Sequence, residues 1–174
     1  MKAILISIRP QWVEKILNKK KTIEVRKRFP KDYVGWVYIY CTNNGGNFAY
    51  DKGNLALGFE NGNKFWEQCR VNGKVVARFW CDNVDEFYDF DDDLCKQACL
   101  DRGEMLDYLG NKNGYAIHIT KLEIFDKPKE ISEFKRYIND SDCKKCAYGS
   151  RCPLYPCDKI PLTRAPQSYQ FIEI

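Results

Sequence analysis

The 174-residue sequence predicts an α+β fold, a partly open β-barrel with an N-terminal strand–helix–strand unit and short helices at its rim. Two observations lead to this prediction. Short runs rich in β-branched and aromatic residues recur along the chain and are separated by turn residues. Helical periodicity is confined to a few short segments. Because no internal repeat or linker divides the chain, we expect a single domain over residues 1–174, with a cysteine-rich loop at 139–158.

The opening of the chain predicts a strand, a helix and a second strand. Residues 3–8 form a short apolar run, and Pro10 is typical of the first turn of a helix. Apolar residues then recur at helical spacing as far as Leu17, which predicts a helix over about 10–18. The β-branched residues of 22–25 predict the next strand.

The remaining elements follow from the same patterns. Strands are predicted at 34–41, 75–80, 115–125 and 167–174, and helices at 94–100, capped by Asp93, and at 104–109. In the strand at 115–125 the alternation slips by one residue near Thr120, which is typical of a β-bulge. Residues 43–73, rich in Asn and Gly, predict loops around one short segment near 55–59.

Charge is distributed unevenly, although the net charge is only +4. Residues 19–31 contain seven basic residues and one Glu, whereas residues 85–93 contain six acids and no base. The basic segment is a candidate phosphate-binding surface, and the acidic one is expected to be an exposed loop. Two ordinary solvated segments are the alternative.

The segment 21–26 combines a Lys, a Glu and an Arg. On a strand, Glu24 and Arg26 point to the same face. Such a pair offers acceptors and donors that suit the edge of a base or a ribose, although on an exposed strand it would be an ordinary surface ion pair. Lys20 and Lys21 could neutralise phosphate. A stacking wall could come from Trp12, Trp36, Tyr38, Tyr40 and Tyr169.

A family resemblance rests on these residues. Leu5-Ile6-Ser7-Ile8-Arg9-Pro10, followed by Lys21-Thr22-Ile23-Glu24-Val25-Arg26, resembles the signature of the ASCH domain family in the PUA-like superfamily. Gly114–Ile119 and Arg164–Tyr169 are similar to a phage and bacterial branch of that family. The resemblance implies a PUA-like β-barrel with a cleft beside the first helix that binds RNA or a modified nucleotide. The ligand-binding residues that we expect are Ser7, Arg9, Lys20, Lys21, Thr22, Glu24, Arg26, Arg28, Gln167, Ser168 and Tyr169.

The same resemblance implies a possible activity. Some bacterial members are similar to amidohydrolases that remove an acyl group from acylated cytidine. For those enzymes the resemblance implies a Lys of this motif, a Thr three residues on and a Glu from a later segment. Lys21 matches the Lys, and Glu24 stands where those enzymes have the Thr. If this protein is an enzyme, Lys21 and Glu24 are therefore its candidate catalytic residues. A third hypothesis is a protein-interaction or inhibitor domain that uses residues 85–93 as a nucleic-acid mimic.

Nine cysteines in a chain without a secretory signal predict thiols or metal ligands, and hence a cytoplasmic protein. No apolar run is long enough for a membrane helix. Four of the cysteines lie within fifteen residues, and four thiolates around one ion form a structural Zn²⁺ site. An iron–sulfur cluster and free thiols are the alternatives. The predicted zinc ligands are Cys143, Cys146, Cys152 and Cys157.

Overall fold

The computed structural model describes residues 1–138 and 161–174. Eleven strands are found there: β1 (Lys2–Ile8), β2 (Ile23–Arg26), β3 (Gly35–Cys41), β4 (Phe48–Asp51), β5 (Asn54–Leu57), β6 (Val75–Cys81), β7 (Val84–Phe87), β8 (Gly114–His118), β9 (Thr120–Lys129), β10 (Lys135–Arg136) and β11 (Tyr169–Glu173). The helices of the same residues are α1 (Pro10–Leu17), α2 (Lys64–Gln68), α3 (Asp92–Ala98) and α4 (Arg102–Leu109), with a 3₁₀ turn at Ile131–Glu133.

The strands form two main sheets. The larger has six strands in the order β10-β11-β1-β3-β6-β9, in which only the β1–β3 pair is parallel. The smaller is antiparallel, in the order β2-β8-β7, and β4 and β5 form a separate hairpin. The α+β class and the opening strand–helix–strand are therefore confirmed. Within the described residues the sheets are open and do not close into a barrel.

The core is divided by these sheets. Alternate residues of β1 point to opposite faces, so Ile4 and Ile6 join a cluster that includes Val13 and Ile16 of α1, while Leu5 packs on the other face of the sheet. A separate cluster covers one face of β2 with α3 and α4. No helix in residues 1–138 and 161–174 is long and apolar enough to cross a membrane.

The segment 43–73 is more regular than the sequence predicts. It contains the hairpin β4–β5 and helix α2 rather than a single short segment between loops. Each of these elements has only four or five residues, too few for a clear period. Phe48 is fully buried and fixes the hairpin to the main core.

The acidic run is also partly regular. Val84–Phe87 is strand β7, so the predicted exposed loop is wrong over these residues. Several acids have local partners: Asp85 contacts His118 at 2.7 Å, and Asp91, rather than Asp93, caps α3 through the amide of Leu94. The acidic run therefore contributes a strand and a helix cap to the fold in addition to its charge.

The slip near Thr120 marks a change of sheet together with the predicted β-bulge. Arg78 pairs with Glu123 and Trp80 with Thr120, so β9 has one extra residue opposite β6. Strand β8 ends at His118 in the three-stranded sheet, and β9 begins at Thr120 in the six-stranded sheet. Ile119 still donates its amide to the carbonyl of Thr22, while Lys121 adopts a left-handed φ of 43°. Side-chain alternation shifts here because the chain leaves one sheet for the other and because β9 has one extra residue opposite β6.

Candidate functional site

Strand β2 is buried on both faces, which is unusual for a strand with two charged residues. Ile23 and Val25 face the apolar cluster formed with α3 and α4. Glu24 and Arg26 point the other way, towards the end of β1, because successive side chains on a strand alternate. Glu24 and Arg26 therefore lie on the same face of β2, as the sequence predicts.

Lys21, Glu24 and Arg26 form a compact ionic group. The Lys21 Nζ lies 3.4 Å from one carboxylate oxygen of Glu24, and the Arg26 Nε lies 2.9 Å from the other. Their exposed fractions are 3%, 6% and 9%, and they are the buried charged residues of the described chain. Water screens such a group weakly, so its interactions are much stronger than those of a surface pair.

Backbone carbonyls fix both cations in place. The Lys21 ammonium donates to the carbonyl of Ala98 at 2.5 Å, at the end of α3. The Arg26 Nη2 donates to the carbonyl of Ser7 at 2.6 Å, at the end of β1. The ionic group therefore joins the smaller sheet, helix α3 and the larger sheet.

Burial changes the electrostatics of this group. Burial lowers the pKa of Lys21, and the adjacent Glu24 carboxylate opposes that shift. The Arg26 Nε is buried and lies 2.9 Å from the Glu24 carboxylate, with which it forms an ion pair rather than a well-aligned hydrogen bond. Because this atom has no accessible surface, a ligand could reach only the outer nitrogens of the Arg26 guanidinium.

A cavity of about 800 Å³ opens over the ionic group. Five parts of the chain contribute to it: the end of β1 with α1, strand β2, the start of the 42–44 loop, helix α4, and residues 165–167. Polar and aromatic side chains dominate the lining, which includes Ser7, Arg9, Gln11, Trp12, Lys21, Glu24, Arg26, Tyr40, Thr42, Asn43, Asn44, Glu104, Asp107, Tyr108 and Gln167.

Lysine side chains lie next to two of the aromatic rings in the lining. The Lys15 Nζ lies 4.6 Å from the ring centroid of Trp12, and the Lys27 Nζ lies 5.2 Å from that of Tyr108. Burial raises the pKa of Tyr108, with Arg26 opposing the shift and Glu24 adding to it. Cations are thus held next to two of the aromatic walls.

The loop wall is organised by Asn72. Its side-chain amide donates to the carbonyls of Thr42 and Gly46, at 3.1 and 2.9 Å, and its oxygen accepts from the amide of Phe48 at 2.6 Å. Gly45, with a φ of 101°, passes close to Gln11, where a Cβ would lie 3.3 Å from the side-chain oxygen. The Asn72 hydrogen bonds thus fix the 42–46 loop, and Gly45 allows the loop to pass close to α1.

The predicted ligand-binding residues divide into two groups. Ser7, Arg9, Lys21, Glu24, Arg26 and Gln167 line the cavity. Lys20, Thr22, Arg28, Ser168 and Tyr169 do not belong to the lining.

The residues outside the lining have other contacts. The Lys20 carbonyl accepts from the Cys99 thiol, and Thr22 is exposed. Ser168 donates to the carbonyl of Arg28 at 3.3 Å, and the Tyr169 ring packs on the core.

The predicted stacking wall is also divided. Trp12 and Tyr40 line the cavity. Trp36 packs against Trp80, with ring centroids 5.4 Å apart, and Tyr38 is buried against Phe125 and Phe134. Alternation along β3 cannot tell which aromatic residues lie under a cavity, because all of them point to the same face of the strand.

Sequence reasoning missed the wall from α4. Glu104, Asp107 and Tyr108 line the cavity, and no local pattern connects them with the motif in β2. The capping box of Asp101 and Glu104 fixes where α4 begins, so the helix was detectable. Which of its faces meets the cavity depends on tertiary packing.

Within residues 1–138 and 161–174, no group of three or more His, Cys, Asp or Glu side chains is arranged to hold a metal ion. The predicted zinc ligands Cys143, Cys146, Cys152 and Cys157 lie outside the described residues, so zinc stays a prediction. Cys95, on α3, is buried in the apolar cluster of β2.

Structural comparison identifies the fold. An ASCH protein from Zymomonas mobilis is similar to this chain with a TM-score of 0.51 and 17% identity, covering 98% of this chain and 87% of the other. Two single-residue variants of that protein give TM-scores of 0.55 and 0.53 at 16% identity, covering 99% and 98% of this chain and 91% and 88% of the others. No family model matches the sequence, and no curated protein does. This chain therefore has an ASCH-type fold, as its sequence motif predicts.

Proposed function

We propose that this protein binds RNA or a modified nucleotide by accepting one nucleoside unit into the cavity over Lys21, Glu24 and Arg26. The observation that carries this proposal is the buried ionic group of Lys21, Glu24 and Arg26 in the lining of the cavity. A volume of about 800 Å³ suits a single nucleoside, because ligand pockets commonly measure about 300–1,000 Å³. The ASCH-type fold supports the same reading.

Burial of three charges is poorly explained by stability alone. Buried ionic groups contribute little net stability, since desolvation offsets most of their attraction. The Glu24 carboxylate provides acceptors and the Arg26 guanidinium provides donors, so together they match the mixed donors and acceptors at the edge of a base. Trp12 and Tyr108 add rings on which a base can stack.

Phosphates would lie outside the cavity. Lys15 and Lys27 sit against the two ring walls, and Arg28 is tied to Ser168, next to Gln167 of the lining. Lys27 and Arg28 are exposed and Lys15 is partly exposed, so the three cations are placed to meet the backbone of a single strand whose base enters the cavity. Such contacts release counterions and make affinity depend on salt.

The test is fluorescence anisotropy of short single-stranded RNAs at several salt concentrations. Trp12→Ala should weaken binding by roughly 5- to 150-fold, the range expected for loss of one stacked base at about 1–3 kcal/mol. Trp36→Ala is the matched control, because that ring is half-buried outside the lining. Equal losses for the two variants would contradict the proposal.

Salt dependence provides the second readout. Lys27→Ala/Arg28→Ala should reduce the slope of log affinity against log salt by about 1.4, or roughly 0.7 per lost contact with single strands. The control is Lys112→Ala/Lys127→Ala, which removes two exposed cations elsewhere. RNA binding that is indifferent to salt, or absent at low salt, would leave the proposal without support.

One observation favours a second candidate, hydrolysis of an acylated cytidine nucleoside. The lowered pKa of Lys21 increases the fraction of neutral amine beside Glu24 in the cavity lining. Purified protein would be incubated with N4-acylated cytidine and the release of cytidine followed by chromatography. Turnover that is lost in Lys21→Met and retained in Lys112→Met would support the candidate, and no turnover would exclude this substrate.

A further inference from the structure

Ser7 lies where two walls of the cavity meet. Its backbone carbonyl accepts from the Arg26 Nη2 of the β2 wall at 2.6 Å, and its hydroxyl donates to the carbonyl of Pro166, in the wall formed by residues 165–167, also at 2.6 Å. Because the single hydroxyl proton is used on Pro166, Ser7 has no proton to donate to a ligand. Both of these polar groups of Ser7 therefore act on other residues of the lining.

The contacts of Ser7 follow from the end of a strand pair. Strand β1 pairs with β11 only as far as Ile6, opposite Tyr169, whereas its pairing with β3 continues to Ile8. Beyond Ile6, the next residue of β1 contacts the Arg26 side chain and the Pro166 backbone instead of a residue of β11. The cavity begins where these two strands stop pairing.

The segment 163–168 has few other attachments. Backbone hydrogen bonds fix the chain on both sides of it, but residues 163–168 form no backbone–backbone hydrogen bond with any residue of the described ranges 1–138 and 161–174. Within those ranges, two side-chain hydrogen bonds hold the segment: the 2.6 Å bond from Ser7, and a 3.3 Å bond from Ser168 to the carbonyl of Arg28. The wall at 165–167 therefore depends mainly on the hydroxyl of Ser7.

We propose that Ser7 is a positioning residue for the ligand: its hydroxyl holds the wall at 165–167 so that Gln167 faces the nucleoside. This inference rests on the proposed function, since it concerns the same cavity. Gln167 supplies the polar side chain of that wall, and its amide can both donate to a base and accept from it. Without the hydroxyl, the wall leaves the position that binds for part of the time, and the apparent affinity falls with the fraction that remains competent.

The experiment measures the binding of a short single-stranded RNA to the full chain by fluorescence anisotropy. Ser7→Ala should weaken binding about 5-fold, the factor that corresponds to one hydrogen bond of typical net strength, and Ser7→Thr, which keeps the hydroxyl, should restore it. The control Thr120→Val removes a hydroxyl that donates to the carbonyl of Trp80 at 2.7 Å outside the lining, and should leave the affinity unchanged. An affinity of Ser7→Ala within twofold of that of the original protein, or no recovery in Ser7→Thr, would overturn the inference.

A double-mutant cycle separates positioning from direct contact. Gln167→Ala removes the side chain that Ser7 positions, while the Ser7 carbonyl and its bond with Arg26 remain in all the variants. In the Gln167→Ala background, Ser7→Ala should therefore change the affinity by less than about twofold, because both substitutions remove the same contact with the ligand. If the two losses multiply instead, Ser7 acts independently of Gln167 and the inference is wrong.

The position of the wall can also be followed in the free protein. The side-chain amide signal of Gln167 in a ¹H–¹⁵N NMR spectrum should shift in Ser7→Ala, return in Ser7→Thr and stay in place in Thr120→Val. If Ser7→Ala does not fold, Ser7→Thr and Ser7→Val provide the comparison, since they have the same shape and differ in the hydroxyl. Equal RNA affinities for that pair would overturn the inference.

Failure of the inference and failure of the proposed function give different results. If the original protein binds RNA and Ser7→Ala binds equally well, Ser7 is not a positioning residue and the proposed function stands. If the original protein binds no RNA at low salt, both are wrong.

Discussion

Glu24→Gln is the most informative single change in the ionic group. The substitution keeps the shape of the side chain and removes the charge that lies between Lys21 and Arg26, 3.4 and 2.9 Å away. Two buried cations then lose their counter-charge. Removing one partner of a buried pair costs roughly 3–5 kcal/mol, and because the amide oxygen can still accept one hydrogen bond, we expect about 3 kcal/mol. For a chain of this size that corresponds to a fall in Tm of roughly 6–12 °C.

A matched control separates burial from distance. Glu123 on β9 pairs with Arg78 at 2.7 Å, a shorter contact than that of Glu24 with Arg26, but the side chains are 48% and 29% exposed. Surface pairs contribute about 0–1 kcal/mol, so Glu123→Gln should change the unfolding free energy by less than about 1 kcal/mol. If the distance alone decided the strength of a pair, Glu123→Gln would be the more destabilising of the two substitutions.

The assay is urea denaturation followed by circular dichroism at pH 7, with thermal melts as a second measure. We expect a large decrease in the free energy of unfolding for Glu24→Gln and a small decrease for Glu123→Gln, with unchanged m-values for both. If Glu24→Gln costs no more than Glu123→Gln, the side chains of β2 are not buried as described, and the electrostatic account of the site is refuted.

Three further predictions concern other parts of the chain. Gly114→Ala should destabilise the protein by about 1–3 kcal/mol in a thermal melt, because a Cβ there would overlap the ring of Phe87; an unchanged Tm would show that the ring moves away freely. Burial raises the pKa of Cys41 and of Cys81 to about 12. The unfolded chain therefore loses these protons at a lower pH than the folded protein, and the free energy of unfolding should fall as pH rises above about 9. The expected slope is up to about 1.4 kcal/mol per pH unit for each thiol. Cys41→Ser should flatten that slope in urea titrations between pH 8 and 10, and an unchanged slope would contradict the assignment. Elemental analysis of protein purified without chelator should give about one zinc per chain, and less than about 0.2 would leave free thiols at Cys143, Cys146, Cys152 and Cys157.

Local signals were sufficient for much of the fold. The strand–helix–strand opening is confirmed within one or two residues, because Pro10 and the periodicity of α1 are strong local signals. The hairpin in 43–73 was missed because its strands have four residues each. The bulge near Thr120 was predictable from the slip in alternation, but the accompanying change of sheet at Ile119 was not, since both produce the same slip.

The site was predictable in part for similar reasons. The spacing of Glu24 and Arg26 places them on one face of any strand, and the structure adds that this face is buried under a cavity. Burial of Lys21 depends on its contact with the carbonyl of Ala98, 77 residues away, which no local pattern reveals. Asp107 and Tyr108 joined the site through the packing of α4 beside β2, which is also a long-range event.

The central claim is that one nucleoside unit of an RNA enters the cavity over Lys21, Glu24 and Arg26. The most direct test is a ¹H–¹⁵N NMR titration of the labelled protein with a short single-stranded RNA at low salt. The account predicts that the indole signal of Trp12 and the guanidinium signal of Arg26 shift on binding, while the indole signal of Trp36 stays in place. Shifts confined to Trp36 and the outer face of the six-stranded sheet, or no shifts at all, would contradict it.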